Sequence, residues 1–192
     1  TMSHSPFLFT EPEKWNQIRS ARPTSERNPW TTEEENLAQY KRVQAAFGVL
    51  KEKMEAAKPD VILCFGDDQI EQFEFSNFPG FAIYVGDDYE GYKVFARQGF
   101  VPGVRKGFTE KNDDTWVKVP GKPDFAKHLA KQLVKRDFDL SFMLEEANKE
   151  HGIGHAFMRP MSNIVPEFDI PTIPFYINCF YGPQPTANRV YQ

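Results

Sequence analysis

The sequence predicts an α/β protein with a central mixed sheet flanked by helices. Three observations carry this. Two short apolar runs, Val61 to Phe65 and Phe81 to Val85, are each closed by glycine and acidic residues and read as strands. A third apolar run, Phe175 to Phe180, returns late in the chain behind two prolines. Between them lie stretches with helical spacing of apolar residues, and strands alternating with helices make an α/β layer structure.

Taken in order, Trp15 to Ile18 is expected to form one turn of helix inside a Pro-, Arg- and Ser-rich loop from Glu11 to Trp30. Thr32-Glu33-Glu34-Glu35 reads as a capping box. The helix it starts is expected to run to about Ala57, with Leu37, Tyr40, Phe47, Leu50 and Met54 on one face, and Lys58-Pro59 ends it. The strand Val61 to Phe65 then delivers Asp67-Asp68-Gln69 at its C-terminal end, where open α/β sheets place ligand sites. After the second strand, residues Gly86 to Trp116 read as a loop, with a short strand near Tyr92 to Ala96. Pro123-Asp124 opens a second amphipathic helix to about Arg136, with Phe125, Leu129 and Leu133 at i, i+4 and i+8. Phe138 to Met143 alternates like a strand, and Leu144 to Lys149 is expected to be a helical turn. His151-Gly152-Ile153-Gly154-His155 reads as a flexible loop, and the residues after Gly182 as a polar tail.

The 192 residues are 26% charged and 40% hydrophobic, which suits one globular domain over residues 1–192. The net charge of −4 and the lack of a basic stripe exclude nucleic acid as the expected partner. No apolar run is long enough to span a bilayer, so no membrane partner is expected either. No secretory pattern is visible, and Cys64 and Cys179 sit in apolar runs. Reduced, buried thiols in a cytoplasmic protein are therefore expected. Aromatic residues make up 15% of the chain, enough to fill a core and to line a pocket for a flat ligand.

Four histidines, His4, His128, His151 and His155, are the candidates for proton transfer or metal binding. Asp67, Asp68, Glu71 and Glu74 can serve as hard oxygen ligands for a divalent metal, or as caps of the turn after Gly66. There is no zinc pattern, no glycine-rich phosphate loop and no Gly-x-Ser-x-Gly nucleophile elbow.

Several segments, in order, resemble the class III extradiol ring-cleavage dioxygenases, the superfamily of the catalytic β subunit of protocatechuate 4,5-dioxygenase, with a gallate- or methylgallate-type Gly-Asp-Asp-Gln pattern. They are Ser3-His4-Ser5-Pro6, PDVILCFGDDQIEQF, GKPDFAKHLAKQLVKRDFDLSFM, EHGIGHAFMRPMSNI and IPTIPFYINCFYGPQPTANRVY. The resemblance implies O₂-dependent cleavage of a catechol-type aromatic acid next to its vicinal diol, with Fe(II) as cofactor. It implies that His4 binds iron, that Gln69 stands where the second iron-binding His is expected, and that His151 is the catalytic acid/base. Supporting places near substrate or metal fall to His128, His155 and Asp68, with Asp67, Asp68 or His155 standing in should the Gln69 amide fail as a ligand. The family's carboxylate ligand comes from beyond the Pro-rich turn, and a strand precedes its N-terminal His. The chain is therefore expected to be incomplete at both ends relative to the family, and poorly stable alone. A homo-oligomer or a complex with a small second subunit is the expected assembly. The alternative is a non-catalytic member, a binding or assembly subunit that has lost the metal.

Overall fold

The computed structural model describes residues 5–20, 31–96 and 108–192. Helix α1 (Trp15–Ser20) is followed by α2 (Glu33–Ala57), and the expected capping box is present, with Thr32 Oγ1 accepting from Glu35 N and Glu35 returning to Thr32 N. Strands β1 (Ile62–Gly66), β2 (Phe81–Tyr84), β3 (Asp88–Tyr92) and β4 (Trp116–Pro120) come next. Helix α3 (Pro123–Val134), strand β5 (Leu140–Met143), helix α4 (His155–Ile164), strand β6 (Thr172–Ile177) and helix α5 (Ala187–Tyr191) complete the described order.

The main sheet has the order β1-β6-β2-β5. β1 runs parallel to β6 and β2 parallel to β5, while β2 and β6 are antiparallel, so the sheet is mixed as expected. Pro174 lies within β6, between two neighbours. The pairing with β2 covers Phe175 to Ile177 and stops before Pro174, so the missing N–H falls outside that ladder. β3 and β4 form a separate antiparallel pair.

Side chains alternate across the main sheet and build two core layers. Phe81, Ile83, Ile173 and Phe175 pack with Ala126, Leu129 and Leu133 of α3. Ala82, Tyr84 and Tyr176 face the other way, onto Phe157, Met158 and Met161 of α4. Gly66 closes β1 because Phe157 needs its space: a Cβ there would meet the Phe157 ring at 2.9 Å. The same close approach brings the start of α4 over the C-terminal end of β1.

Several expectations are corrected. The run after Gly86 holds the β3–β4 pair, with β3 ending at Tyr92 where a strand was expected to begin. Residues 144–149 form bends and a turn, not a helical turn. His155 is the first residue of α4, and His151 to Gly154 are buried rather than a flexible loop. β6 begins at Thr172, three residues early, and the C-terminal tail contains α5. On α2 the buried residues are Asn36 and Phe47, while Leu37 is exposed, so its apolar face is narrower than the spacing suggests. Cys64 and Cys179 are both free thiols, but neither is fully buried: Cys64 is half-buried and Cys179 exposed. No described helix is long and apolar enough to cross a membrane.

Candidate active site

The turn after β1 is built by its own acidic residue. Asp68 is 2% exposed and its carboxylate accepts from three backbone N–H groups, of Glu71, Gln72 and Phe73, at 3.0–3.2 Å. Burial pushes the Asp68 carboxyl up, only partly offset by these hydrogen bonds. Asp68 thus acts as the cap of the turn. That cap aims Glu71 and Gln72 away from solvent and toward the segment that leads into α4.

Gln72 clamps that segment. Its amide nitrogen donates to Gly152 O at 2.6 Å and its amide oxygen accepts from Asn148 N at 3.2 Å. Asn148 in turn accepts from His151 N through Oδ1 at 3.2 Å. From the other side, Ile153 N donates to Glu90 O at 2.8 Å and Gly152 bridges to Gly91 of β3. Gly152 has φ +67°, and a Cβ there would press on Gly91 Cα and Trp116, both at 2.7 Å. Only glycine suits this position, on both conformational and steric grounds.

His151 is held between two oxygens. Its Nδ1 lies 3.2 Å from Gly152 O. A carbonyl only accepts, so Nδ1–H is the donor there. Its Nε2 faces Glu71 Oε1 at 3.3 Å. The same oxygen accepts from His155 Nδ1 at 2.8 Å and from His155 N at 3.3 Å. Glu71 Oε2 is buried without a hydrogen-bond partner, against Gly154. One carboxylate oxygen therefore faces both imidazoles, hydrogen-bonded to His155 and an ion-pair partner of His151 when that ring is protonated. Burial opposes the Glu71 charge, yet the hydrogen bond and charge of His155, with the charge of His151, leave its carboxyl below the usual range. Burial likewise works against charging His155, and Glu71 outweighs it, so the His155 imidazole is raised. Tyr92 and Phe108 set their rings edge-on to His151, at centroid distances of 6.3 and 6.0 Å.

Of the residues singled out from the sequence, His151, His155, Asp68 and Glu71 come together. Gln69 is near them, and its amide nitrogen donates to Asp67 Oδ2 at 3.3 Å. His128 does not join: it is exposed on α3, the helix covering the opposite face of the sheet. Glu74 is exposed. His4 lies outside the described residues. Gln72, Tyr176 and Arg159 went unrecognised in the sequence. Tyr176 projects from β6 into the α4-side core with a buried hydroxyl that has no hydrogen-bond partner. Arg159 is buried on α4, four residues after His155. The signal for Arg159 was its i, i+4 relation to His155, readable only once residues 155–164 are recognised as a helix.

The family model for the catalytic LigB subunit of aromatic ring-opening dioxygenase matches residues 1–192. The chain belongs to that family.

Dioxygenases of the LigB family are generally non-haem iron enzymes. Among the described residues, no group of three or more His, Cys, Asp or Glu side chains is arranged to hold a metal ion. His151 and His155 both turn a ring nitrogen onto Glu71 Oε1, a carboxylate oxygen, rather than onto an open metal position. The described His, Cys, Asp and Glu side chains therefore do not supply a complete ligand set alone, and His4 lies outside the described residues. What they do form is a group able to hold and pass a proton: a carboxylate facing two imidazoles, one of them backed by a backbone carbonyl.

Proposed function

We propose that this LigB-family chain opens the ring of a catechol-type aromatic acid next to its vicinal diol, consuming O₂, with His151 as the acid/base. The observation that carries the reading is the His151 ring, fixed by Gly152 O on one side and facing Glu71 Oε1 on the other, in a chain that matches the family over its whole length. A base for a diol proton needs a fixed ring with one nitrogen available for exchange. Nδ1–H donates to the carbonyl, so in the neutral ring Nε2 is the atom that gains a proton, which Glu71 Oε1 at 3.3 Å then shares. Glu71 can stabilise the positive ring that forms there, and His155 Nδ1–H keeps that carboxylate in place. Tyr92 and Phe108 wall the ring with apolar surface, which suits a flat aromatic substrate.

The proposal includes Fe(II) as cofactor, with His4 and Gln69 as protein ligands, a cytoplasmic location, and assembly as a homo-oligomer or with a small second subunit. Iron would supply the oxygen chemistry; the described residues bind, orient and move the proton.

A second reading has one observation in its favour. Gln69 replaces the expected imidazole with a neutral amide, and its nitrogen is turned to Asp67. A family member that has lost the metal and serves as a binding or assembly subunit would tolerate this. Oxygen uptake on 3,4-dihydroxybenzoate and on gallate, with anaerobically purified, iron-supplied protein, separates the two. Stoichiometric uptake with loss of the aromatic absorbance is expected. Tight binding of either acid without any uptake would favour the non-catalytic reading.

A further inference from the structure

Arg159 makes no hydrogen bond to Glu71, His151 or His155, although its charge is felt by Glu71 and His155. Its side chain is buried, 5% exposed, and Nε has no hydrogen-bond partner. Among the described residues no direct ion pair reaches its guanidinium, and the Glu71 carboxylate acts on it only through longer-range charge. The face of Phe95 packs against it, with the guanidinium carbon 3.8 Å from the ring centroid. A ring face attracts a cation but does not neutralise it. The Glu71 carboxylate offsets this charge only at longer range, without a direct ion pair, and Nε stays unpaired, so the buried cation keeps donor capacity for a second anion.

Arg159 also opens onto space. It lines a cavity of about 280 Å³ together with Phe9, Tyr40, Lys93, Phe95 and Asn163. That volume lies near the lower end of the roughly 300–1,000 Å³ typical of small-molecule pockets. Among the described lining residues the cations are Arg159 and Lys93, and the carboxylate is Glu11, which is exposed and accepts from Tyr40 Oη at 3.4 Å. The cavity therefore combines a buried positive end with aromatic walls. It adjoins the chemistry through α4, where Arg159 sits one turn after His155 and shares its helix face. Phe95 ties it to the same wall, since Phe95 O accepts from Thr109 Oγ1, beside the Phe108 that packs on His151.

We propose that Arg159, with the cavity beside it, is the subsite for the carboxylate of an aromatic acid. This rests on the ring-opening reading for the place of the diol, and goes beyond it by naming the group that selects acids over neutral diols. The planar guanidinium can donate two parallel hydrogen bonds to a carboxylate, a geometry that lysine cannot reproduce.

The test uses the full chain and two variants, Arg159→Met and Arg159→Lys. Binding of 4-hydroxybenzoate, an acid without a diol, is measured by calorimetry beside catechol, a diol without a carboxylate. Arg159→Met is expected to weaken 4-hydroxybenzoate roughly ten- to one-hundred-fold, as for a lost hydrogen bond to a charged group, and to leave catechol within about two-fold. Arg159→Lys is expected to recover part of the acid affinity. Thermal melts accompany the binding: removing a buried charge that has no direct ion pair should leave the melting temperature within a few degrees of wild type. Equal losses for acid and neutral ligand, or no loss for the acid, would overturn the assignment. So would acetate competing as well as 4-hydroxybenzoate, because a bare anion site needs no aromatic walls. If Arg159→Met fails to fold, the role is structural and the proposal falls unless Arg159→Lys, folded, shows the selective loss. Oxygen uptake separates this from the reading beneath it: selective acid binding without turnover removes ring opening and leaves the subsite, while turnover indifferent to Arg159 does the reverse.

Discussion

Glu71 Oε1 lies 2.8 Å from His155 Nδ1 and 3.3 Å from His151 Nε2, so a single carboxylate oxygen couples the two histidines that bracket the Gly152-Ile153-Gly154 segment. Removing the charge while keeping the shape should loosen both rings. Glu71→Gln is expected to fold with a loss of about 1–3 kcal/mol, the usual cost of degrading a buried charged hydrogen bond. Turnover should fall further than binding, since the carboxylate supports the His151 positive ring rather than substrate. Comparing kcat with KM in the variant checks this; an unchanged kcat would remove Glu71 from the proton path.

The same contact makes stability depend on pH. The folded His155 imidazole is raised above its ordinary value of 6.5, because the Glu71 hydrogen bond and charge outweigh the burial that opposes them. A raised folded value means that this contribution is fully present below pH 6.5 and is lost as pH rises through the folded value. Urea melts across pH 5 to 9 should therefore show a decline on the alkaline side that Glu71→Gln flattens. Parallel curves for the two proteins would show that His155 does not feel Glu71.

Asp68 is expected to matter through the backbone. Its carboxylate accepts from Glu71, Gln72 and Phe73 N–H. Asp68→Ala leaves buried donors unpaired and is expected to cost about 1–3 kcal/mol or more. Asp68→Asn keeps acceptor capacity and should cost less. Equal losses for the two would mean that the turn is held by something other than these bonds.

Gln72 and Gly152 position the His151 backbone. Gln72→Ala frees Gly152 O and Asn148 N, for about 1–2 kcal/mol, and should speed hydrogen exchange across residues 148–153. Gly152→Ala meets both the φ of +67° and the contact with Gly91 and Trp116, and about 1–3 kcal/mol is expected from the backbone strain alone. Both variants should lower turnover by displacing the ring while all its own atoms remain. Exchange at 148–153 unaltered in Gln72→Ala would contradict the clamp.

The strands that carry the site were legible because their apolar runs are short and closed by turn residues: β1 and β2 lie within one residue of their expected bounds. Asp67 to Gln69 and Glu71 could be read as a site for the same reason, since they follow a strand end. Helix α4 was hidden. Gly152 and Gly154 precede it, Gly154 offers no side-chain cap, and Pro160 lies inside it, so each local signal argued against a helix. What forms it is tertiary: Phe157, Met158 and Met161 bury against the sheet, with Phe157 seated on Gly66. Without α4 the pairing of His155 with Glu71, 84 residues apart, cannot be inferred, and Arg159 has no place. The β3–β4 pair was obscured by its Gly and Asp content, and its role is to anchor Gly152 rather than to extend the main sheet.

The most direct measurement is oxygen uptake by iron-supplied wild type and His151→Ala on 3,4-dihydroxybenzoate, with metal content determined on the same samples. The account expects uptake by the wild type, its loss in His151→Ala, and equal iron in both. Full uptake by His151→Ala would contradict it, and loss of iron together with activity would make His151 a metal ligand instead of the acid/base.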